Sequence, residues 1–60
     1  MNKFQSLRKA AGMSRPQIAQ YFNIPYRTAQ SWDLGDREPP QYVLELIEYK
    51  LIKEGFIKQG

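Results

Sequence analysis

Between Ser14 and Gly35 the chain reads SRPQIAQYFNIPYRTAQSWDLG, two helix start signals and two helix stop signals in immediate succession. Ser14 can cap the free amides of a first turn, and Gln17 stands where its side chain can reach back, the S-x-x-Q form of the capping box. Met13 and Ile18 flank this start at the spacing of a hydrophobic staple. Ile18, Ala19 and Phe22 then share one face of a helix over about 15–22. Asn23 follows where the helix must stop, and asparagine tolerates the left-handed backbone of a sharp turn. Pro25 pushes Ile24 to an extended backbone and presets the entry to a second helix, about 26–34. Two short helices joined by a tight turn are the expected result.

The second of these helices turns Ala29 and Trp32 inward and Arg27, Gln30, Ser31 and Leu34 outward. An outward face of Arg, Gln and Ser, flanked by Tyr26 and Thr28, carries donors and acceptors that suit base edges in a DNA major groove. The same stretch resembles the helix-turn-helix of the phage repressor and Cro family, the XRE-type regulators. Ser14-Arg15, Ala19, Ile24, Thr28, Trp32-Asp33 and Gly35 carry the likeness, which continues upstream through Leu7-Arg8 and Gly12 and downstream to Pro39. Three residues depart from the usual pattern: Asn23 for a turn glycine, Pro25 for a Ser or Thr cap, and Ala29 for a bulkier aliphatic. The resemblance implies an all-α, four-helix, lambda-repressor-like domain acting as a regulator in a bacterial, phage or mobile-element setting.

Sixty residues make one small domain with a marginal core, and there are no cysteines to staple it. Without Cys or His the usual zinc ligands and thiol chemistry are missing, and no cofactor is implied. Apolar runs are too short for a signal peptide or membrane span, so a cytoplasmic setting is expected. The net charge of +3 is unevenly spread. Residues 1–32 hold Lys3, Arg8, Lys9, Arg15 and Arg27 and no acid, whereas all six acids fall in residues 33–60 beside four basic residues. A basic half that coincides with the helix pair is the electrostatic footprint of a nucleic-acid binder.

A first helix over about 3–11 is capped by Asn2, with Gln5 in the reciprocal position and Gly12 ending it. Phe4, Leu7 and Ala11 mark its buried stripe, and Arg8 shares that stripe. A buried guanidinium needs a partner. Asp33, next to Trp32, is the natural one, and the resemblance also implies an acid and an Arg paired across the core. The alternative is that Arg8 snorkels to the edge and meets phosphate or water. Ser14 and Arg15, at the start of the second helix, are expected to contact phosphate, with Thr28 and Arg37 as further phosphate contacts. Arg27 is placed for guanine and Gln30 for adenine, with Tyr26 and Ser31 adding base-edge contacts. Tyr21 falls between core and surface, without an assigned role.

Asp33–Pro40 reads as a loop in which Asp36 and Glu38 offset Arg37. The fourth helix, about 40–54, is the longest, with Val43, Leu44, Leu46, Ile47 and Leu51 as an inner stripe. Tyr42, Tyr49 and Phe56 recur every seven residues beside it, and Ile52 adds another apolar position. That surplus implies a second contact surface, unless Phe56 and Ile57 fold back over it. A symmetric homodimer is expected there, with Tyr49, Ile52 and Phe56 near its axis and Tyr42 at the margin, reading a pseudo-palindromic operator. Lys58-Gln59-Gly60 reads as a frayed end.

These readings converge on a sequence-specific double-stranded DNA-binding regulator that represses by occupying its operator. The closest rival keeps the fold and binds another protein through Tyr42, Tyr49 and Ile52. An RNA-binding autoregulator is disfavoured because the aromatics do not form a stacking platform, and an enzyme because little in the chain could do chemistry on a small-molecule substrate.

Overall fold

The computed structural model describes residues 2–58 as four α-helices: α1 (Lys3–Ala10), α2 (Arg15–Tyr21), α3 (Tyr26–Leu34) and α4 (Gln41–Lys53). The chain is all-α, with no strand among the described residues. Each helix begins and ends on local chemistry. Asn2 accepts the Gln5 amide at 2.7 Å to start α1. At α2 the capping box closes in both directions, Gln17 N–H to Ser14 Oγ at 3.3 Å and Ser14 N–H to Gln17 Oε1 at 2.8 Å. Prolines 25 and 40 occupy the N-cap positions of α3 and α4 and supply no side-chain cap.

All four helices stop in the same way. Gly12, Asn23, Gly35 and Gly55 have positive φ, and each follows a helix end. At the end of α2, Asn23 N–H bonds the Gln20 carbonyl at 3.2 Å and Ile24 N–H bonds the Ala19 carbonyl at 2.7 Å. This paired arrangement satisfies two orphan carbonyls and reverses the chain within one residue. Asn23, at φ 58, fills here the place that glycine fills elsewhere. The turn between α2 and α3 is therefore set by backbone bonds rather than by loop length.

The core gathers Phe4 and Leu7 of α1, Met13, Ile18 and Ala19, Ala29 of α3, and Ile47 and Leu51 of α4. Trp32 packs against it and meets the Phe4 ring edge-on at 5.5 Å. α2 and α3 form the most extensive helix–helix contact. Each contributes one buried alanine, Ala19 and Ala29, and small side chains let two backbones approach closely. Ala29 is fully buried.

Polar groups tie the same helices together through one residue. The Asp33 side chain is fully buried, and its two oxygens accept from Arg8 Nε at 2.7 Å and Arg15 Nε at 2.9 Å. Its backbone carbonyl accepts from Asn2 Nδ2 at 3.1 Å and Gln5 Nε2 at 3.2 Å. Arg8 continues through Nη1 to the Met13 carbonyl at 2.8 Å. Among the described residues no buried side-chain nitrogen or oxygen lacks a partner.

Three local expectations change. Leu46, expected in the inner stripe of the fourth helix, is 61% exposed, because one turn after Tyr42 it faces away from Ile47 and Leu51. Gln5 does not return to the Asn2 amide; its side chain crosses to the Asp33 carbonyl instead. Ala11 is the C-cap of α1 and only partly buried. The expected frayed end at Gln59 and Gly60 lies outside the described residues. No helix among the described residues is long and apolar enough to cross a membrane.

A double partner makes an unequal set of stabilities. Asp33→Asn strands two guanidiniums and should cost about 3–5 kcal/mol, a large share of what a domain this small possesses. Arg8→Met alone should cost less, since Arg15 still neutralises Asp33, and removing both arginines should cost more than the sum of the single changes. Thermal unfolding of the four variants decides it, and strictly additive losses would show that the three groups do not act together.

Candidate nucleic-acid interface

Pinning the inner side of α3 through Ala29 and Asp33 leaves its other side open. Tyr26 and Arg27 are exposed at its start, Gln30 and Ser31 half-buried in its middle, and Leu34 exposed at its end. Arg27, Ser31 and Leu34 follow helical spacing along one line, with Gln30 beside them. Thr28 is half-buried on the flank next to Trp32.

The loop after α3 adds to this face. Gly35, at φ 86, turns the chain back so that the Asp36 and Arg37 amides reach the Ser31 carbonyl at 3.0 and 3.4 Å. Arg37 thereby joins Arg27, Thr28, Ser31 and Trp32 around one surface depression of about 460 Å³. Residues separated by a helix end in the sequence share a rim in space. Two were expected to read bases, Arg27 and Ser31, and two to hold phosphate, Thr28 and Arg37.

The charges sort into occupied and open ones. Arg8 and Arg15 share Asp33, and Lys3 lies 3.6 Å from Glu48. Arg27 and Arg37 have no acidic partner within 4 Å among the described residues. The Arg15 side chain remains 35% exposed, so two guanidiniums around one carboxylate leave a surplus of positive charge at the start of α2. Sequence reasoning placed Arg15 on phosphate or in solvent and missed its bond to Asp33. It likewise missed Asn2 and Gln5 as donors to the Asp33 carbonyl. Contacts across 18 to 31 residues leave no periodic signal in a chain.

Ser14 is exposed, its hydroxyl accepting the Gln17 amide. The four residues expected in a dimer interface are not brought to one face. Tyr42 and Tyr49 stand out from α4 at 67% and 63% exposure, with Leu46 between them. Ile52 is half-buried on the flank of Glu45. Phe56 leaves the helix and meets Tyr21 edge-on at 5.3 Å, while Ile57 packs against the core. Tyr21 in turn meets Phe22 at 5.0 Å, and Lys50 Nζ lies 5.3 Å from the centre of its ring. Burial, and secondarily the Glu54 carboxylate, push the Tyr21 phenol above its ordinary pKa. Tyr21 is the bridge between α2 and the segment after α4.

No protein-family model matches the chain, and no curated protein or solved structure matches it either. Among the described residues, no group of three or more His, Cys, Asp or Glu is arranged to hold a metal ion.

Seating Phe56 on Tyr21 assigns it to the fold. Phe56→Ala should lower stability by about 1 kcal/mol, the worth of an edge-to-face aromatic pair with partial burial. Tyr21→Ala should cost more, because it also gives up Phe22 and Lys50, and the double variant should lose less than the sum of the two single changes. Thermal midpoints for the two single variants and the double test this, and full additivity would dissolve the pair.

Proposed function

We propose that this chain is a sequence-specific double-stranded DNA-binding regulator that inserts α3 into the major groove. The observation that carries the reading is the convergence of Arg27, Thr28, Ser31 and Arg37 on one open rim, with both arginines free of acidic partners among the described residues. Arg27 offers a planar fork for guanine and Gln30 a paired donor and acceptor for adenine. Tyr26 and Ser31 add base-edge contacts, and Leu34 presents an apolar surface to a thymine methyl. Arg37, Thr28, Ser14 and the outer part of Arg15 grip phosphate, and grip without base readout sets register rather than sequence preference.

The likeness of Ser14–Gly35 to the phage repressor and Cro family supports the same assignment and points to repression by operator occupancy in a bacterial or phage-infected cell. One α3 spans only a few base pairs, so two copies on a pseudo-palindromic site are part of the proposal. The role is binding, with no cofactor, no small-molecule substrate and no catalytic step. A second reading, an adaptor that binds another protein through α4, is favoured by the exposure of Tyr42, Leu46 and Tyr49. Salt-sensitive affinity for duplex DNA separates the two, since only the first requires counterion release from phosphate.

Selection of bound sites from random duplex DNA tests the proposal directly, with enrichment of a defined motif as the expected result and no enrichment as the result against it. Within that assay, Arg27→Ala should relax preference at one base position and cost about 1–3 kcal/mol on the preferred site. Arg37→Ala should weaken binding to all duplexes alike and lower the salt slope by about one phosphate's worth, leaving the motif unchanged. An unaltered motif for Arg27→Ala would remove α3 as the reading element.

A further inference from the structure

The exposed side of α4 is ordered in both shape and charge. Tyr42, Leu46, Tyr49 and Lys53 are spaced by four, three and four residues, and all four are exposed. That spacing draws one straight seam along the helix, the d-a-d-a register of a helix that pairs with another helix. Lys50 and half-buried Val43 lie on one flank of the seam, and Glu45 and Ile52 on the other. Beyond the Lys50 flank is an apolar groove of about 450 Å³ that reaches Phe22, Ile24 and Trp32. A seam with a cation on one side and an acid on the other is complementary to itself in only one orientation.

We propose that α4 recognises α4 of a second copy in parallel register, with Glu45 of each chain facing Lys50 of the other. In a parallel pair the two flanks exchange across a two-fold axis that runs along the helices, and the g position of one chain meets the e position of the next heptad in the other. Glu45 and Lys50 occupy those two positions, five residues apart. In an antiparallel pair like flanks meet, so Glu45 would face the Ile52 side and Lys50 the Val43 side, and neither charge would be matched. The parallel arrangement also lays the Glu45 flank of each copy over the groove of the other. Lys53 falls at an a position, where one cation lowers affinity while favouring a single register. Among the described residues Glu45 has one side-chain hydrogen bond, from Gln41 Nε2 at 3.4 Å, and Lys50 lies over the Tyr21 ring at 5.3 Å, with no acid within 4 Å of Lys50, so both charges are available for pairing.

The surface is different from the one expected of the sequence, since Leu46 takes the central place and Phe56 has none. A seam of about three turns is small, so the dimer dissociates in the range of about 10 µM to 1 mM. The inference stands apart from the DNA reading, because its test contains no nucleic acid.

Sedimentation equilibrium of the full chain up to about 1 mM, together with Glu45→Lys, Lys50→Glu and the double exchange, decides it. Wild type should dimerise. Each single reversal sets two like-charged pairs in the interface and should weaken association about tenfold or more. The double exchange should restore it, and an equimolar mixture of the two single variants should form a heterodimer in which both pairs are regained. Both positions are exposed, so the thermal midpoints of the monomers should stay close together, and Glu45→Gln supplies a neutral variant if Glu45→Lys lowers its own. A monomeric wild type at 1 mM, single reversals without effect, or a mixture that fails to associate would each overturn the proposal.

Discussion

A carboxylate with no solvent exposure is the constraint from which the positions of three helices follow. Transferring a charge out of water is costly unless it is paired and its remaining lone pairs are used. Asp33 meets that requirement with Arg8 from α1 and Arg15 from α2, while its own carbonyl takes Asn2 and Gln5. Each of these bonds has a direction as well as a length. Apolar packing of Phe4, Ile18 and Ala29 supplies driving force without orientation, and the Asp33 cluster supplies orientation. In a domain with so small a core, that division matters more than it would in a larger one.

Fixing the inner side of α3 by charge has a consequence for the outer side. The residues that face solvent, Arg27, Gln30 and Ser31, are held on a short helix whose rotation is set by Ala29 and Asp33 one or two residues away. The start of α3 has no side-chain cap, and its end is closed by backbone bonds to the Ser31 and Trp32 carbonyls. Those same bonds carry Arg37 onto the rim. Stability and presentation are thus coupled at the C-terminal turn of α3, where the buried carboxylate and the returning loop meet.

The fourth helix divides its surface differently. Ile47 and Leu51 are buried in the core, whereas Tyr42, Leu46 and Tyr49 form a seam that nothing else among the described residues covers. Lys53, 5.9 Å over the Tyr49 ring, tempers that seam, while Lys50 lies over Tyr21 of α2. The segment after α4 turns away from the seam, through Phe56 onto Tyr21 and Ile57 onto the core. That apolar face is flanked by opposite charges, Lys50 on one side and Glu45 on the other.

Helix boundaries, the capping box at Ser14 and Gln17, the left-handed stop at Asn23 and the outward set Arg27, Gln30 and Ser31 were legible in the chain alone. Each depends on interactions between residues three to five apart, and such interactions leave their spacing in the sequence. The pairing of Arg8 with Asp33 was legible for a related reason, since a charge on an apolar stripe announces a need for a partner. Tertiary structure alone decided that Arg15 is the second partner, that Gln5 serves Asp33 and that Arg37 reaches the α3 rim. It also decided that Leu46 faces out and Phe56 faces Tyr21. Periodicity can say that a helix has more apolar surface than one face needs. Which part is buried depends on where neighbouring helices lie, and that is fixed by contacts between residues distant in the chain.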